Sequence, residues 1–449
     1  MNSKSIASVC FVLIAALVAS SASAYPYAEP ESGGFWLGRV NLSPTLAIGV
    51  FYDSNPDEVN ESRRRIMEET LVEEDGKDRY ESSTGFYVKP GVLLQIPGNR
   101  WSLSGGVHYT YEDDDSDYSR SPKDWDEYVR LQGKTEGQLE WELGQSWQQL
   151  SYQQFDDFSQ DDREALTFYG RLGLPVSDKT DVSLGASYRT LDYEDELLYD
   201  SDYMGVTLAF DHHLTDKTDF ILALSYGINS ADYDDIPEDE QQRMIGSETE
   251  SHQAAIQVGL GSRASEKLTY RALVGLALFD PDYYEDETGE PGVERDPVDD
   301  DTEYNVSYDL SLSWRATDRL SVNLAGRTAY ESAEDIRNNA LLAYMLSCSA
   351  NYRMFTRLRL SAGVSYRLED YLRKVEVGSD DGVAYAGTDD ERRGVKREDD
   401  QVSVFGDVTY GINRYASVFV NGLYSATSST IDDFDYDRYR ISAGVALQY

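Results

Sequence analysis

The feature that most constrains the fold is a repeated unit of two long alternating runs joined by a short polar turn. Over residues 304–314, apolar or aromatic residues occupy every second position, and small polar or acidic residues lie between them; residues 320–324 and 360–368 repeat this pattern. Period two is typical of a strand whose two faces meet different environments. Several runs last about 10 to 13 residues, which is longer than most strands of soluble proteins and long enough for a tilted strand to cross a membrane.

Eight short turns separate the two runs of each unit, and long acidic segments separate the units. The turns lie at residues 97–100, 135–137, 175–180, 214–218, 263–267, 315–319, 353–357 and 411–415. Several contain Ser/Thr-Asp-Lys/Arg, whose small polar side chains hydrogen-bond their own backbone. The acidic segments are residues 53–82, 112–125, 230–249, 280–302 and 370–399.

Short turns at one end and long loops at the other are typical of an outer-membrane barrel. Two strands for each turn give 16, and residues 43–52 and 437–449 add one at each end of the chain. We therefore predict an all-β fold, a single transmembrane antiparallel up-and-down β-barrel of about 18 strands, with 16 as the alternative count. Its short turns and both termini would be periplasmic, and its long acidic loops external. A propeller or solenoid is the soluble alternative, but a blade has four short strands.

The N-terminus has the three parts of a secretory signal. Lys4 precedes an apolar stretch over residues 6–19, and Ala22-Ser23-Ala24 offers a cleavage site. We expect residues 1–24 to be a cleaved signal peptide, residues 25–40 a periplasmic segment and residues 41–449 the barrel. Cleavage would remove Cys10 and leave Cys348 alone, so the mature chain would have no internal disulfide.

The last run ends at an aromatic C-terminal residue. Apolar residues occupy alternate positions before it, and this pattern predicts a C-terminal assembly signal made of Tyr439, Ile441, Val445, Leu447 and Tyr449. Such a signal implies the barrel-assembly machinery as a partner. Aromatic residues also gather near both ends of the runs, which predicts two girdles at the lipid headgroups. Trp101, Trp314 and Tyr352 belong to the turn side, and Tyr226, Tyr330 and Tyr366 to the loop side.

If the apolar face meets lipid, the opposite face lines the interior. Charged side chains there require water, because a charge in hydrocarbon costs several kcal/mol, and barrels of 16 to 18 strands are wide enough for an aqueous channel. The alternative is that these charges pair with one another and only solvate the wall. The predicted pore-lining residues are Arg171, Arg189, Arg271, Asp309, Arg327, Arg357, Arg359, Arg367, Asp407 and Arg440, together with Glu140 and Glu142.

Composition excludes several classes of protein. The 449 residues hold 82 Asp+Glu against 40 Lys+Arg, a net charge of −42, so we expect no nucleic-acid partner. No apolar run of about 20 residues follows the N-terminus, which disfavours a helical membrane protein. The four histidines form no recognisable catalytic motif, and we expect neither enzymatic activity nor a cofactor. Loosely bound divalent cations at acidic loops, such as residues 112–117 and 296–301, are an alternative to simple solvation.

The first predicted strand contains a short motif of its own. Pro44-Thr45-Leu46 leads to Asp53-Ser54-Asn55, and with the repeated hairpins and the aromatic C-terminus it resembles the β-barrel porin families of Gram-negative bacteria. The resemblance is greatest to the group associated with exopolysaccharide gene clusters. The resemblance extends over residues 41–449, concerns the overall architecture, and implies an outer-membrane location.

Two functions follow as hypotheses. The first is a porin-like passive channel for ions, small solutes or saccharides, with a link to exopolysaccharide export. The second is a non-conducting barrel whose acidic loops bind cations, polymer or a partner. The segment 61–74 is a candidate loop helix that would fold inward and plug the lumen. The sequence identifies neither the solute nor the polysaccharide.

Overall fold

The computed structural model describes residues 34–54, 82–115, 123–153, 160–193, 200–232, 248–283, 302–332, 340–375, 395–430 and 435–449. The predicted signal peptide, most of the N-terminal segment and the candidate loop helix at 61–74 lie outside these residues. The acidic stretch 296–301 and residues 116–117 also lie outside them. Within the described residues, no helix is long and apolar enough to cross a membrane.

The described residues form nineteen strands, of which eighteen are long and one is short. The strands are β1 (Phe35–Leu37), β2 (Val40–Asp53), β3 (Ser83–Pro97), β4 (Trp101–Asp114), β5 (Lys123–Lys134), β6 (Glu140–Gln153), β7 (Gln160–Ser177), β8 (Thr180–Tyr193), β9 (Asp200–His213), β10 (Thr218–Asp232), β11 (Glu248–Ser265), β12 (Leu268–Tyr283), β13 (Glu303–Trp314), β14 (Leu320–Ser332), β15 (Ala340–Arg353), β16 (Leu358–Val375), β17 (Val395–Gly411), β18 (Ala416–Ser429) and β19 (Tyr436–Gln448).

The eighteen long strands close into one antiparallel barrel. Each pairs with the next along the chain, and β19 pairs with β2, where Gly444 lies opposite Gly49. The predicted 18-stranded barrel is therefore confirmed. The short strand β1 was not predicted; it pairs with residues 40–42 of β2, just before the stretch of β2 that pairs with β19. It thus extends the closure between the first and last long strands.

All eight predicted turns lie between consecutive strands at one end of the barrel. In the turn from β13 to β14, the Thr317 amide donates to the Leu320 carbonyl over 3.2 Å, and the Thr317 hydroxyl accepts from the amides of Arg319 and Leu320. The side chain therefore satisfies backbone groups that the tight turn would leave unpaired. The chain's described ends, at Gly34 and Tyr449, lie at this same end.

The strands reach further toward the opposite end than the sequence predicts. Strands β7, β11 and β16 have 18 residues each, and β17 begins at Val395 inside the segment predicted as an acidic loop. Hydrogen bonding of the backbone does not require apolar side chains, so charged residues such as Glu398 and Asp399 continue the sheet above the membrane-spanning part.

The two faces of the wall differ as the alternation predicts. On β2, the outward residues Ile48 and Val50 are about half exposed, whereas the inward residues Ala47 and Phe51 are buried. On β19, Ile441 points outward with 51% of its surface exposed, and it alternates with half-buried Arg440 and Ser442. A continuous outward band of exposed apolar residues is what contact with lipid requires.

Aromatic rings bring the two chain ends together at the turn end. Tyr449 stacks on Phe35 at 4.2 Å and on Tyr415 at 4.9 Å between ring centroids, and its amide donates to the Pro44 carbonyl. Tyr330 differs from the predicted girdle position. It stacks on Phe279 at 4.8 Å and accepts a hydrogen bond from Asn305. The pairing of β13 with β14 ends at Asp309 and Arg327, before Tyr330, whereas β14 stays paired with β15 as far as Ser332.

Candidate functional site: the charged inner face

The inner face of the barrel collects the residues predicted to line a pore. Strand register places eleven of the twelve on the inward side of the wall, and Arg357 lies in the turn between β15 and β16. The Arg357 guanidinium donates to the Ile412 carbonyl in the next turn over 3.0 Å, so it belongs to the rim. None of the twelve is buried, and Arg171, Arg189 and Arg359 are exposed.

One network of charges spans the closure between the last and first strands. Arg440 on β19 and Lys89 on β3 both reach Glu112 on β4, at 2.5 Å and 3.5 Å. The Arg440 guanidinium also lies 4.2 Å from the ring centre of Phe51, and the Lys89 ammonium 5.0 Å from that of Tyr87. Each cation therefore has both a carboxylate and an aromatic face, which holds it against the wall.

Beside this network, Asp53 and Arg438 form a bidentate pair. The guanidinium Nε and Nη2 donate to both carboxylate oxygens over 2.6 to 3.1 Å, and the Asp53 side chain is only 2% exposed. Neither residue was predicted as a site residue. Their contact joins residues 385 positions apart, and the alternation in the sequence predicts the face of each residue but not its partner across the closure.

A second network lies toward the loop end of β14–β17. Arg367 donates to Glu331 over 2.8 Å and also to Glu369, and the Arg327 guanidinium lies 3.8 Å from Glu331. Arg397 makes a bidentate pair with the buried Asp399. The two predicted residues, Arg327 and Arg367, are therefore neighbours that share one carboxylate.

A third group of ion pairs lies nearer the turn end, on β5 and β6. Arg130 pairs with Glu142 over 2.8 Å, and Lys134 pairs with Glu140 over 3.0 Å. Glu140 and Glu142 were predicted to face the interior, whereas their cationic partners were not identified. These pairs agree with the alternative that many inner charges balance one another across neighbouring strands.

Histidine and carboxylates meet on the inner face where β8, β9 and β10 approach their turns. His213 Nδ1 lies 2.6 Å from Asp219 and Nε2 lies 3.2 Å from Asp181. This grouping does not make a metal site: among the described residues, no cluster of three or more His, Cys, Asp or Glu side chains has a geometry suited to an ion. Divalent cations at the acidic loops stay a prediction, because most of those segments lie outside the described residues.

The remaining predicted residues have fewer close partners. Asp407 accepts from the Thr409 hydroxyl at 3.0 and 3.3 Å. The Cα of Asp309 lies opposite that of Arg327 in the register of β13 and β14, although Arg327 pairs with Glu331 instead. Arg271 and Arg171 both lie within electrostatic range of Asp211. Positive and negative groups are therefore both present on the inner wall.

Comparison with known proteins places this geometry in context. Residues 292–449, the C-terminal third of the chain, match the family model described as "Putative beta-barrel porin 2". The resemblance to a porin family that the sequence suggested is confirmed over this range. No curated protein matches the chain.

Similar solved structures include a siderophore receptor, an iron transporter and a copper transporter. The siderophore receptor PiuA from Acinetobacter baumannii has 8% sequence identity and a TM-score of 0.41, and the match covers 90% of this chain and 82% of PiuA. The FrpB iron transporter from Neisseria meningitidis has 8% sequence identity and a TM-score of 0.43, and the match covers 90% of this chain and 82% of FrpB. The copper transporter OprC has 12% sequence identity and a TM-score of 0.45, and the match covers 90% of this chain and 65% of OprC.

A closed antiparallel barrel with an outward apolar band, matching a porin family over its C-terminal third, is an outer-membrane β-barrel.

Proposed function

We propose that this barrel is a porin-like passive channel for ions and small hydrophilic solutes. The observation that supports it is the solvent accessibility of the inner charges: Arg171, Arg189 and Arg359 are exposed although they face inward. Every described strand belongs to the wall, and none crosses the lumen. Charges of both signs facing water set ion preference in such pores.

Liposome swelling tests this proposal with uncharged solutes. Proteoliposomes containing the refolded chain are diluted into arabinose, maltose or stachyose, and we expect swelling rates that fall with increasing sugar size. Liposomes that contain folded, heat-modifiable protein but swell no faster than empty liposomes would contradict the channel. Liposomes with an added pore-forming peptide that passes small sugars verify that the assay responds.

A specific observation favours a second function, a barrel that does not conduct. At the closure, an apolar cluster lies beneath the charged side chains of the inner face: Ala47, Phe51, Tyr87 and Phe419 have exposed fractions between 1% and 5%. Arg440 lies over the ring of Phe51 and Lys89 over that of Tyr87, so this part of the wall is packed like a protein core and the covering side chains occupy space inside the barrel. A non-conducting barrel would use its acidic loops to bind cations, polymer or a partner, and the swelling assay separates the two functions.

The orientation and the link to saccharides are parts of the same proposal. We infer that the turn end, with both described chain ends, faces the periplasm and that the acidic loops face outward, as short turns and long loops do in barrels of this kind. External protease on intact cells would then cut in the loop segments and leave the turns intact. The link to exopolysaccharide rests on the family resemblance alone. Measuring whether oligosaccharides block the channel current tests this link.

A further inference from the structure

Three arginines lie side by side at the turn end of the inner wall, and none of them has a carboxylate partner among the residues that the structure describes. Arg353 at the end of β15 lies opposite Arg359 on β16, and the Arg353 amide donates to the Arg319 carbonyl over 2.8 Å. We call Arg319, Arg353 and Arg359 the arginine row. They occupy neighbouring chain segments at the same height along the barrel wall. Each is exposed.

The arginine row borders a small cavity whose floor is polar. Ser321, Asn351 and Ser361 lie opposite one another one level deeper in the same three strands, and Arg315 lies at the edge of the cavity. The Ser361 hydroxyl donates to Asn351 Oδ1 over 2.9 Å, which leaves the Asn351 amide nitrogen available as a donor. Cations above and hydrogen-bond donors below form a pocket suited to a negatively charged group.

Neither acid near the arginine row neutralises it. Asp318 lies at the rim of the cavity, at the tip of the adjoining turn, but its side chain is 93% exposed and lies 3.6 Å from Lys267. Asp407, one level deeper on β17, accepts from Thr409. Within the part of the chain that the structure describes, no carboxylate forms an ion pair with Arg319, Arg353 or Arg359.

Four other inner arginines contrast with the arginine row. Arg130, Arg367, Arg438 and Arg440 each contact a carboxylate within 2.9 Å, in a chain that has twice as many acids as bases. Like charges directly opposite one another on a sheet are destabilising. The arginine row therefore retains a repulsion that no acid among the described residues relieves, and a bound anion would relieve it.

The spacing of the row indicates the class of anion. Neighbouring strands lie about 4.8 Å apart, so the row extends over roughly 10 Å. A planar guanidinium binds phosphate oxygens in bidentate fashion, and a diphosphate presents oxygens along such a line, whereas a single carboxylate group is too short to extend over the whole row. We propose that the arginine row is a binding site for phosphate-bearing anions, with diphosphate favoured over phosphate, and that it binds them whether or not the barrel conducts.

Isothermal titration calorimetry with pyrophosphate on the whole chain, refolded in a neutral detergent, tests the site. We expect saturable binding, weakened at least about fivefold by Arg353→Gln and less by Arg353→Lys, which keeps the charge but not the fork of donors. Arg100→Gln is the matched control, since it removes an exposed turn arginine that already pairs with Glu136 at 2.8 Å. It should leave the affinity within about twofold.

Two results would overturn the site: no saturable binding to the wild-type chain, or equal weakening by Arg353→Gln and Arg100→Gln, which would indicate only diffuse attraction. Heat-modifiable migration of each variant verifies that it is folded. Repeating the titration in phosphatidylcholine nanodiscs, with and without phosphatidylglycerol, distinguishes the source of the phosphate. Competition by phosphatidylglycerol identifies a lipid headgroup, and unchanged pyrophosphate binding identifies a soluble phosphate compound.

Discussion

The carboxylate of Asp53 and the guanidinium of Arg438 join the first and last long strands of the barrel through a bidentate ion pair. The N–O distances are 2.6 to 3.1 Å, and the Asp53 side chain is almost inaccessible to solvent. The pair lies on the inner face, next to the network formed by Arg440, Glu112 and Lys89. Closure of the barrel therefore depends on charge as well as on backbone hydrogen bonds.

Asp53→Asn should destabilise the folded barrel, because it leaves a partly buried guanidinium without its carboxylate. Breaking a buried pair costs about 3 kcal/mol, and we expect a lower urea midpoint for loss of heat-modifiable migration. Lys134→Gln removes the exposed Lys134–Glu140 pair, whose side chains are 51% and 67% exposed, and should cost less than about 1 kcal/mol. Equal effects of the two substitutions would refute a special role for Asp53.

Tyr449→Ala should reduce the fraction of protein that assembles in the outer membrane. The ring of Tyr449 stacks on both Phe35 and Tyr415, and such pairs contribute about 0.5–1.5 kcal/mol each beyond the area they bury. Tyr410→Ala removes an outward tyrosine with 46% of its surface exposed and serves as the control. The measurement is the folded fraction in membrane extracts, and an equal loss for both variants would argue against the C-terminal signal.

Leu346 and Ser347 are consecutive residues of β15 on opposite faces, and both are exposed. Leu346→Arg places a charge toward lipid and should destabilise the barrel by about 2–4 kcal/mol if it lies near the bilayer midplane. Ser347→Arg places the same charge toward the lumen and should be tolerated. Refolding yields into lipid vesicles measure the difference, and the reverse order would mean that the two faces have been assigned wrongly.

Glu112→Gln should make the channel more selective for anions. Glu112 is the carboxylate shared by Lys89 and Arg440, so its neutralisation removes one negative charge next to two cations of the inner face. The reversal potential in a KCl gradient should move toward the chloride equilibrium potential. Glu136→Gln, at an 87% exposed side chain in a turn, should move it less, and a shift toward potassium would contradict the lumenal position of the network.

The sequence predicts the parts of this fold that depend on local patterns. Period-two alternation and polar turns fix the eight hairpins and the face of residues such as Arg367 and Ile441, because each strand contacts lipid on one side and the interior on the other. The sequence does not predict β1, which is three residues long and too short for a period to appear. It also misses the start of β17, where both faces are charged.

The sequence does not predict which charged residues pair with one another, and the physical reason is different. The stagger between neighbouring strands decides that Arg438 contacts Asp53 and that Arg359 contacts no acid among the described residues. A shift of two residues in that stagger would keep every side chain on its face but would change every partner. Arg130 and Glu331 are missed for this reason, although they share the alternation of the predicted residues.

The central claim is that the charged face of the wall lines a water-filled passage. Single-channel recording in planar bilayers tests it most directly, with residues 25–449 carrying Ser347→Cys and Cys348→Ser, so that the single thiol faces the interior. We predict discrete conductance steps that a charged, water-soluble methanethiosulfonate reagent alters in this variant but not in the Cys348→Ser parent. Folded protein that inserts without conductance, or steps that the reagent leaves unchanged in both, would contradict the claim.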